Sequence, residues 1–435
     1  VPEGPHNIAS MISSQLDPRL VRLLKTATSL ADRRGWKAYL VGGAVRDLLL
    51  GKSTFDLDIL VEEHGLKFAR EYARLGKGTF KIYRRFYTAL VIFPGGLKVD
   101  VTTTRSEEYP RPGALPEVVP ASLEEDLLRR DFTINALAVS LNRSSFGRLI
   151  DRCGGRRDLE EGIIRVLHPR SFRDDPTRIF RAVRFQQRFG FSIEAGTEEL
   201  IRSAVSIKMF EAVSPERLRR ELELIMKEPH PARAFAAMAR YDELRFIHPD
   251  LVFSPAQLQS VERLEKDCRW FKKQFGGNGL SAWRMYFGAL IWPLGAEELE
   301  KTGKKFNLSQ KVLKQLVRAK RDEKILSGSL SSPGDLPPSR IFSALEKLDP
   351  EIILILMSRF ASSRARTRTK DYLVKLRREK LEISGQDLKK TGLLPGPRYR
   401  KVLRRVLLAR LDGEVRSRRD ELALARRLID KTRND

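Results

Sequence analysis

The stretch Tyr39–Leu60, YLVGGAVRDLLLGKSTFDLDIL, constrains the fold of this chain more than any other. A short apolar run ends in a Gly-Gly turn, an apolar segment with helical spacing follows, and Asp56 and Asp58 then stand two positions apart. On a strand, alternate residues share a face, so these carboxylates project together. Close carboxylates repel unless a cation lies between them, and Mg²⁺ favours carboxylates shared with substrate phosphates. The glycine turn lets backbone approach a phosphate, and the helix start behind it favours the anion. Read this way, the stretch is a site for metal and phosphate, with Asp56 and Asp58 as the metal ligands.

Three further clusters bear on that site. Asp100, in KVDVTTTR, falls on a candidate strand downstream of Asp58. Three carboxylates on neighbouring strands suit two-metal phosphoryl transfer, in which an attacking hydroxyl is activated and the leaving pyrophosphate is clamped. A DxD pair alone also fits a capped turn or a solvated strand. The preceding Gly42-Gly43 and Arg46 favour the phosphate reading, while Asp47 braces local structure. In Arg129-Arg130-Asp131-Phe132-Thr133-Ile134-Asn135-Ala136, adjacent arginines can neutralise a triphosphate, and Asn135 can bond a ribose or a backbone group. An exposed helix with its cap fits the same residues. In Asp174-Asp175-Pro176-Thr177-Arg178, Asp175 and Arg178 stand three apart, neighbours on a helix face. A carboxylate accepts and a guanidinium donates, so the pair can read a base edge. An intrahelical salt bridge is the competing reading. Arg181 and Arg184 continue the same face and can hold phosphate or ribose.

Charge points to the partner. The 435 residues carry a formal net charge of +26, and residues 361–435 hold half of it, with 23 Lys and Arg against 10 Asp and Glu. Charge runs are usually solvated helix faces. Here one sign dominates too strongly for salt-bridge lacing, so a polyanion, nucleic acid, is expected. Cys153 and Cys268 are the only cysteines and the five histidines lack metal-ligand spacing, which excludes a disulfide framework and a Cys-rich zinc site. No apolar run nears the ~18–20 residues of a membrane span, so no membrane partner and a cytoplasmic location are expected. The first residue is Val rather than Met, which suggests a processed or trimmed chain.

The pattern along the chain predicts an α+β head followed by a long helical, increasingly basic body. An amphipathic helix is expected over Pro18–Arg34 and strands over Lys37–Val41, Phe55–Val61, Phe86–Ile92 and Lys98–Thr104, the last two joined at Pro94-Gly95-Gly96. Tyr109–Ser122 reads as a loop, and Leu123–Arg130 and Ile134–Val139 as helices. Beyond Asp151 helices dominate, including Arg178–Phe189, Thr197–Ala204 and Pro215–Met226, the last started by Ser214-Pro215. Breaks are expected at Gly276–Gly279 and Ser327–Pro338.

The order and spelling of these clusters resemble the class II tRNA nucleotidyltransferases, the bacterial group of CCA-adding, CC-adding and A-adding enzymes and poly(A) polymerases. The matching segments are GGAVRDLLLG with DLD, VDVTTTR, RRDFTINA, DDPTRIFRAVRF and SPERLRREL, over about 180 residues. ISGQDLKKTGLLPGPRYRKVL (Ile383–Leu403) resembles a C-terminal segment of many members, with Leu394–Pro397 as a turn entering against RNA.

The resemblance implies a polymerase-β-like head with a mixed sheet at 36–145, after a lead and helix at 1–35. A helical neck (146–235), body (236–335) and tRNA-binding tail (336–435) then follow. It implies Asp56 and Asp58 as Mg²⁺ ligands, Asp100 as the third catalytic carboxylate, and Gly42, Gly43, Arg46, Arg130, Asn135, Arg181 and Arg184 as nucleotide contacts. Asp175 and Arg178 stand in place of a template. The implied partners are the tRNA 3′ end and acceptor arm, with CTP or ATP. CCA-adding members commonly carry Glu-Asp where this chain has Asp174-Asp175, but the base-reading aspartate is kept. The span Arg105–Leu128 is full length, which disfavours CC-only addition. CCA addition, A addition and poly(A) synthesis stay open. So do two rivals, an RNA-binding protein with an inactive transferase head and a metal-dependent phosphohydrolase acting on nucleotides.

Overall fold

The computed structural model describes residues 7–53, 56–276, 279–390 and 396–431. The chain divides into two compact units, residues 1–229 with 237–246, and residues 230–236 with 247–435.

The first unit opens with α1 (Ala9–Gln15) and α2 (Pro18–Arg34). Asp17 caps α2, Pro18 sets its first turn, and Gly35 closes it in the left-handed region. Its buried Leu20, Leu24, Ala27 and Ala31 recur at helical spacing.

A mixed seven-stranded sheet follows, built from β1 (Ala38–Val41), β2 (Leu57–Val61), β3 (Thr79–Tyr83), β4 (Thr88–Ile92), β5 (Lys98–Thr103), β8 (Leu137–Ser140) and β9 (Leu149–Asp151). A separate ribbon pairs β6 (Arg105–Glu108) with β7 (Glu117–Pro120). The strand order is β3-β4-β5-β2-β1-β8-β9, with β2 and β5 parallel. Helices α3 (Gly43–Leu49) and α4 (Gly65–Leu75) pack on the sheet. Gly65 lies so close to β5 that a Cβ there would meet the Thr103 backbone nitrogen at 2.5 Å.

Next come α5 (Leu123–Leu128), α6 (Gly155–Glu161), α7 (Ser171–Asp174), α8 (Thr177–Phe189), α9 (Ala195–Ser206) and α10 (Pro215–Ile225). The second unit is helical. Its helix Pro350–Arg359 has an apolar run, Ile352–Met357, buried on all sides. Near the C-terminus, Ile383, Leu388, Val402, Val406, Ala425 and Ile429 form a core of their own.

The α+β class and most expected elements agree with the structure, and five local readings are corrected. Helix α4 and strand β3 are present where none was expected. The strand expected from Phe86 starts at Thr88, because Arg84–Phe86 form a 3₁₀ turn closed by Tyr87 at φ +49°. The expected loop Tyr109–Ser122 contains β7, whose mostly exposed residues carry no apolar alternation. Ile134–Val139 is not a helix: Thr133–Asn135 make a 3₁₀ turn and β8 follows. Strand β8 is buried on both faces, and a short continuous apolar run does not distinguish strand from helix. The break expected from Ser327 begins only at Ser332, since helix Gln310–Ser331 continues while Leu330 buries and Arg368 bonds its carbonyl. The expected residues Phe55, Gly277, Asn278, Leu394 and Pro395 lie outside the described residues.

Candidate active site

Strand β1 delivers the chain to Gly42, whose φ of +65° and ψ of −130° turn it into α3. Only glycine adopts this conformation readily. A Cβ here would sit 2.9 Å from Arg130 Nη1 and 3.7 Å from Asp58 Oδ2, so the missing side chain leaves room between an arginine and a carboxylate. One turn on, Arg46 is buried and clamped. Its Nε and Nη2 donate to Asp47 Oδ1 at 2.9 and 2.8 Å, and its Nη1 donates to Asn135 Oδ1 at 2.7 Å. The guanidinium also lies over Phe185 and Phe189, 5.2 and 4.7 Å from the ring centres. Asp47 braces Arg46, as expected. Asn135 does the same, and its Nδ2 donates to Asp131.

Parallel pairing of β2 with β5 sets Asp58 opposite Asp100. Burial is the main cause that pushes Asp58 up to about 6, with Asp100 and Asp56 adding to it and Arg130 and Arg46 opposing. Asp100 is raised as well, by lost hydration and by Asp56, against the pull of Lys98. Excess negative charge is therefore concentrated at the start of the two strands. Among the described residues no three acidic, His or Cys side chains converge into a metal cage. Mg²⁺ takes one or two carboxylates and completes its shell with water and substrate phosphates. Asp56 and Asp58 supply hard oxygen donors of that kind.

The arginine pair after α5 has two different tasks. The fully buried Asp126 binds both, at 2.7 Å to Arg129 and 3.0 Å to Arg130. Arg129 is then occupied by Glu107 at 2.7 Å and by the Arg105 carbonyl. Arg130 faces Gly42 and Asp58.

Asp175 and Arg178 are arranged differently from a helix-face salt bridge. Asp175 is extended, between α7 and α8. Its Oδ1 accepts from the Thr177 backbone at 3.0 Å, the Thr177 hydroxyl at 2.6 Å and Arg217 Nη2 at 2.8 Å. Arg178 donates to the carbonyls of Arg129 and Arg130 and to the Ser171 hydroxyl. Arg181 donates to Asp131 at 2.8 Å from Nε and lies 3.7 Å from Glu221. Burial opposes its charge, but the two carboxylates outweigh that and raise its pKa. Arg184 is 3.7 Å from Glu221, and its buried Nε has no hydrogen-bond partner.

These groups surround one cavity of about 620 Å³. Gly42, Gly43, Arg46, Asp56, Asp58, Arg130, Asn135, Asp175, Arg178, Arg181 and Arg184 all line it. Asp100 does not; it stands beside Asp58 on the next strand. The sequence reading missed Glu107, Tyr109, Asp131 and Glu221 in the lining, and Arg217 behind Asp175. Asp131, Arg217 and Glu221 lie inside RRDFTINA and SPERLRREL, so the motifs contained them without revealing their partners.

Residues 38–165 match the poly A polymerase head domain, and residues 190–253 match the probable RNA and SrmB-binding site of polymerase A. An A-adding tRNA nucleotidyltransferase of Geobacter sulfurreducens is 41% identical over 99% of this chain, which covers 49% of that protein. The chain spans about half the length of the curated relatives it matches. A CCA-adding enzyme solved in complex with ATP is 32% identical, with a TM-score of 0.85 over 98% of this chain and 99% of that one. The Thermotoga maritima CCA-adding enzyme complexed with tRNA is 32% identical, with a TM-score of 0.83 over 96% of this chain and 98% of that one. Motifs, fold and these matches agree: the chain belongs to the class II family of tRNA nucleotidyltransferases and poly(A) polymerases.

Proposed function

We propose that the protein adds AMP from ATP to the 3′ end of tRNA ending in CC, releasing pyrophosphate, without a nucleic-acid template. The observation that carries this reading is a cavity lined by Asp56, Asp58, Asp175 and Arg178, with Asp100 in register beside Asp58 on the next strand. Chemistry and base selection thus meet in one cavity. A-only addition is favoured over full CCA addition by the Geobacter sulfurreducens relative, named an A-adding enzyme and 41% identical. The second reading, CCA addition, has support in the near-complete overlap with the CCA-adding enzyme structures.

In the proposed reaction the terminal 3′ oxygen bonds to the α-phosphorus of ATP and the bond to pyrophosphate breaks. Asp100, outside the nucleotide cavity and beside Asp58, accepts the hydroxyl proton. Gly42 gives the triphosphate close access to backbone, and Arg46 and Arg130 donate to its oxygens. Arg46 is held in position by Asp47, Asn135 and two phenylalanine rings, so binding costs it little side-chain freedom. Asp175 accepts from the base amino group and Arg178 donates to a ring nitrogen or carbonyl. Arg181 and Arg184, fixed by Asp131 and Glu221, contact ribose and phosphate. Asp56 and Asp58 would hold Mg²⁺, which would supply charge neutralisation at the reacting phosphate.

The test offers tRNA ending in the discriminator base, in C, or in CC, each with CTP or ATP alone. A-addition predicts incorporation only with the CC end and ATP. Incorporation of CTP at the shorter ends together with ATP at the CC end indicates CCA addition, CTP alone indicates CC addition, and long homopolymer tails indicate poly(A) synthesis. Binding of tRNA without incorporation of either nucleotide refutes all of them.

A further inference from the structure

The cavity serves one substrate, and the carboxylates have a second side. Strand pairing sets Asp58 opposite Asp100, Asp100 opposite Leu90, and Leu90 opposite Lys81. Side chains at paired positions share a face, so these four form a row across the sheet. In the adjoining row Lys98 faces Ile92. The reverse face of β4 and β5 is closed, with Ala89, Val91, Val99 and Val101 fully buried and α4 packed against both strands. The Asp100 face is open. Lys98, Asp100 and Lys81 are exposed, Ile92 is 36% and Tyr83 is 41% exposed, and Leu90 is half-buried.

A sheet face turned only to water is expected to be polar. This one carries Leu90, Ile92 and Tyr83 among Lys81, Lys98, Asp100 and the threonines Thr79, Thr88 and Thr102. The Lys81 ammonium lies 5.3 Å from the Tyr83 ring centre, which sets a cation beside an exposed aromatic face. Aromatic side chains interleaved with cations are what a single nucleic-acid strand uses, stacking for bases and charge for phosphates. Two interstrand steps, about 10 Å, separate Asp100 from Lys81. The nucleotide cavity reaches Asp56 and Asp58 but not Asp100, so the strip leads away from it on the other side of the carboxylates.

We propose that this strip binds the terminal nucleotides of the RNA acceptor strand and presents their 3′-hydroxyl to Asp100. Tyr83 stacks a base, Leu90 and Ile92 take apolar faces of sugar or base, and Lys81 and Lys98 pair with phosphates. Tyr83 and Lys81 are positioning residues. The inference rests on the nucleotidyltransferase reading above.

The test uses the full chain with ATP and an acceptor-stem minihelix ending in CC. Tyr83→Ala and Lys81→Glu are each expected to raise KM for the RNA at least about fivefold. KM for ATP should stay unchanged, and Tyr83→Phe should behave as the wild type. Both side chains are exposed, so thermal unfolding should match the wild type. Unchanged RNA KM in both variants, or an equal rise in the KM for ATP, overturns the proposal. If the wild-type protein incorporates no AMP, the nucleotidyltransferase reading fails by itself. Fluorescence anisotropy of a CC-ended oligonucleotide then decides the strip: weaker binding by both variants supports it, and wild-type binding refutes it.

Discussion

Glu243 differs from the other buried carboxylates of its unit. Asp126 and Asp131 are held by arginines, whereas both Glu243 oxygens are fully buried without a hydrogen-bond partner. Burial pushes its carboxyl well above the ordinary glutamate range, favouring the protonated form. An acid with a raised folded pKa contributes its full stability below the unfolded pKa and loses it as pH rises towards the folded value. Urea unfolding should therefore show stability falling as pH rises above the ordinary glutamate range. Glu243→Gln should flatten that dependence and stabilise the protein by about 1–3 kcal/mol at neutral to alkaline pH. A second single-residue prediction concerns Arg217, which donates to Asp175 at 2.8 Å and to the Gly113 carbonyl at 2.6 Å. Arg217→Ala should lower the ATP-over-CTP preference while Asp58-dependent chemistry persists, read as the ratio of kcat/KM for the two nucleotides. Asp58→Ala, in contrast, should abolish incorporation and leave tRNA binding intact. Asp58 was legible because its partner motif is two positions long. Arg217 was not, because its partner lies 42 residues away and local spacing carries no signal of it.

At the scale of elements, the turn from β1 into α3 is the most exacting. Gly42→Ala brings a Cβ to 2.9 Å from Arg130 Nη1 at a φ of +65°, where an L side chain is strained. The expected result is a raised KM for ATP with RNA affinity unchanged, measured by steady-state incorporation and RNA binding. The sequence signals that held were those with a local cause. Pro94-Gly95-Gly96 located the β4–β5 hairpin, and amphipathic spacing located α2. Signals failed where tertiary surroundings decided. Strand β8 is an interior strand, wedged between β1 and β9, so its apolar run lacks alternation. Strand β6 is polar; its Arg105 and Glu107 engage Arg129, whose own anchor, Asp126, belongs to α5. The carboxylate strands and the arginine helix were readable from sequence, but the network that orients them was visible only in three dimensions.

Across the whole molecule, charge would separate the two proposed substrates. The cavity's arginines are largely committed to carboxylates: Arg181 to Asp131, Arg184 to Glu221, Arg130 to Asp126. The large net charge of +26 must then be displayed elsewhere, and residues 361–435 carry half of it. Exposed cations that neutralise RNA phosphates release counterions, and affinity then falls with salt by roughly 0.7–0.9 log units per neutralised phosphate for each tenfold increase in salt. A nucleotide held by buried, paired groups is screened far less, because buried pairs are shielded from the ionic atmosphere. The two Michaelis constants should therefore diverge as salt rises. From 50 to 200 mM salt, KM for tRNA is expected to climb at least about tenfold, while KM for ATP changes less than about twofold. Parallel rises in both would mean that the surface charge serves the nucleotide as much as the RNA, and a flat tRNA response would remove the polyanion reading of the basic segment.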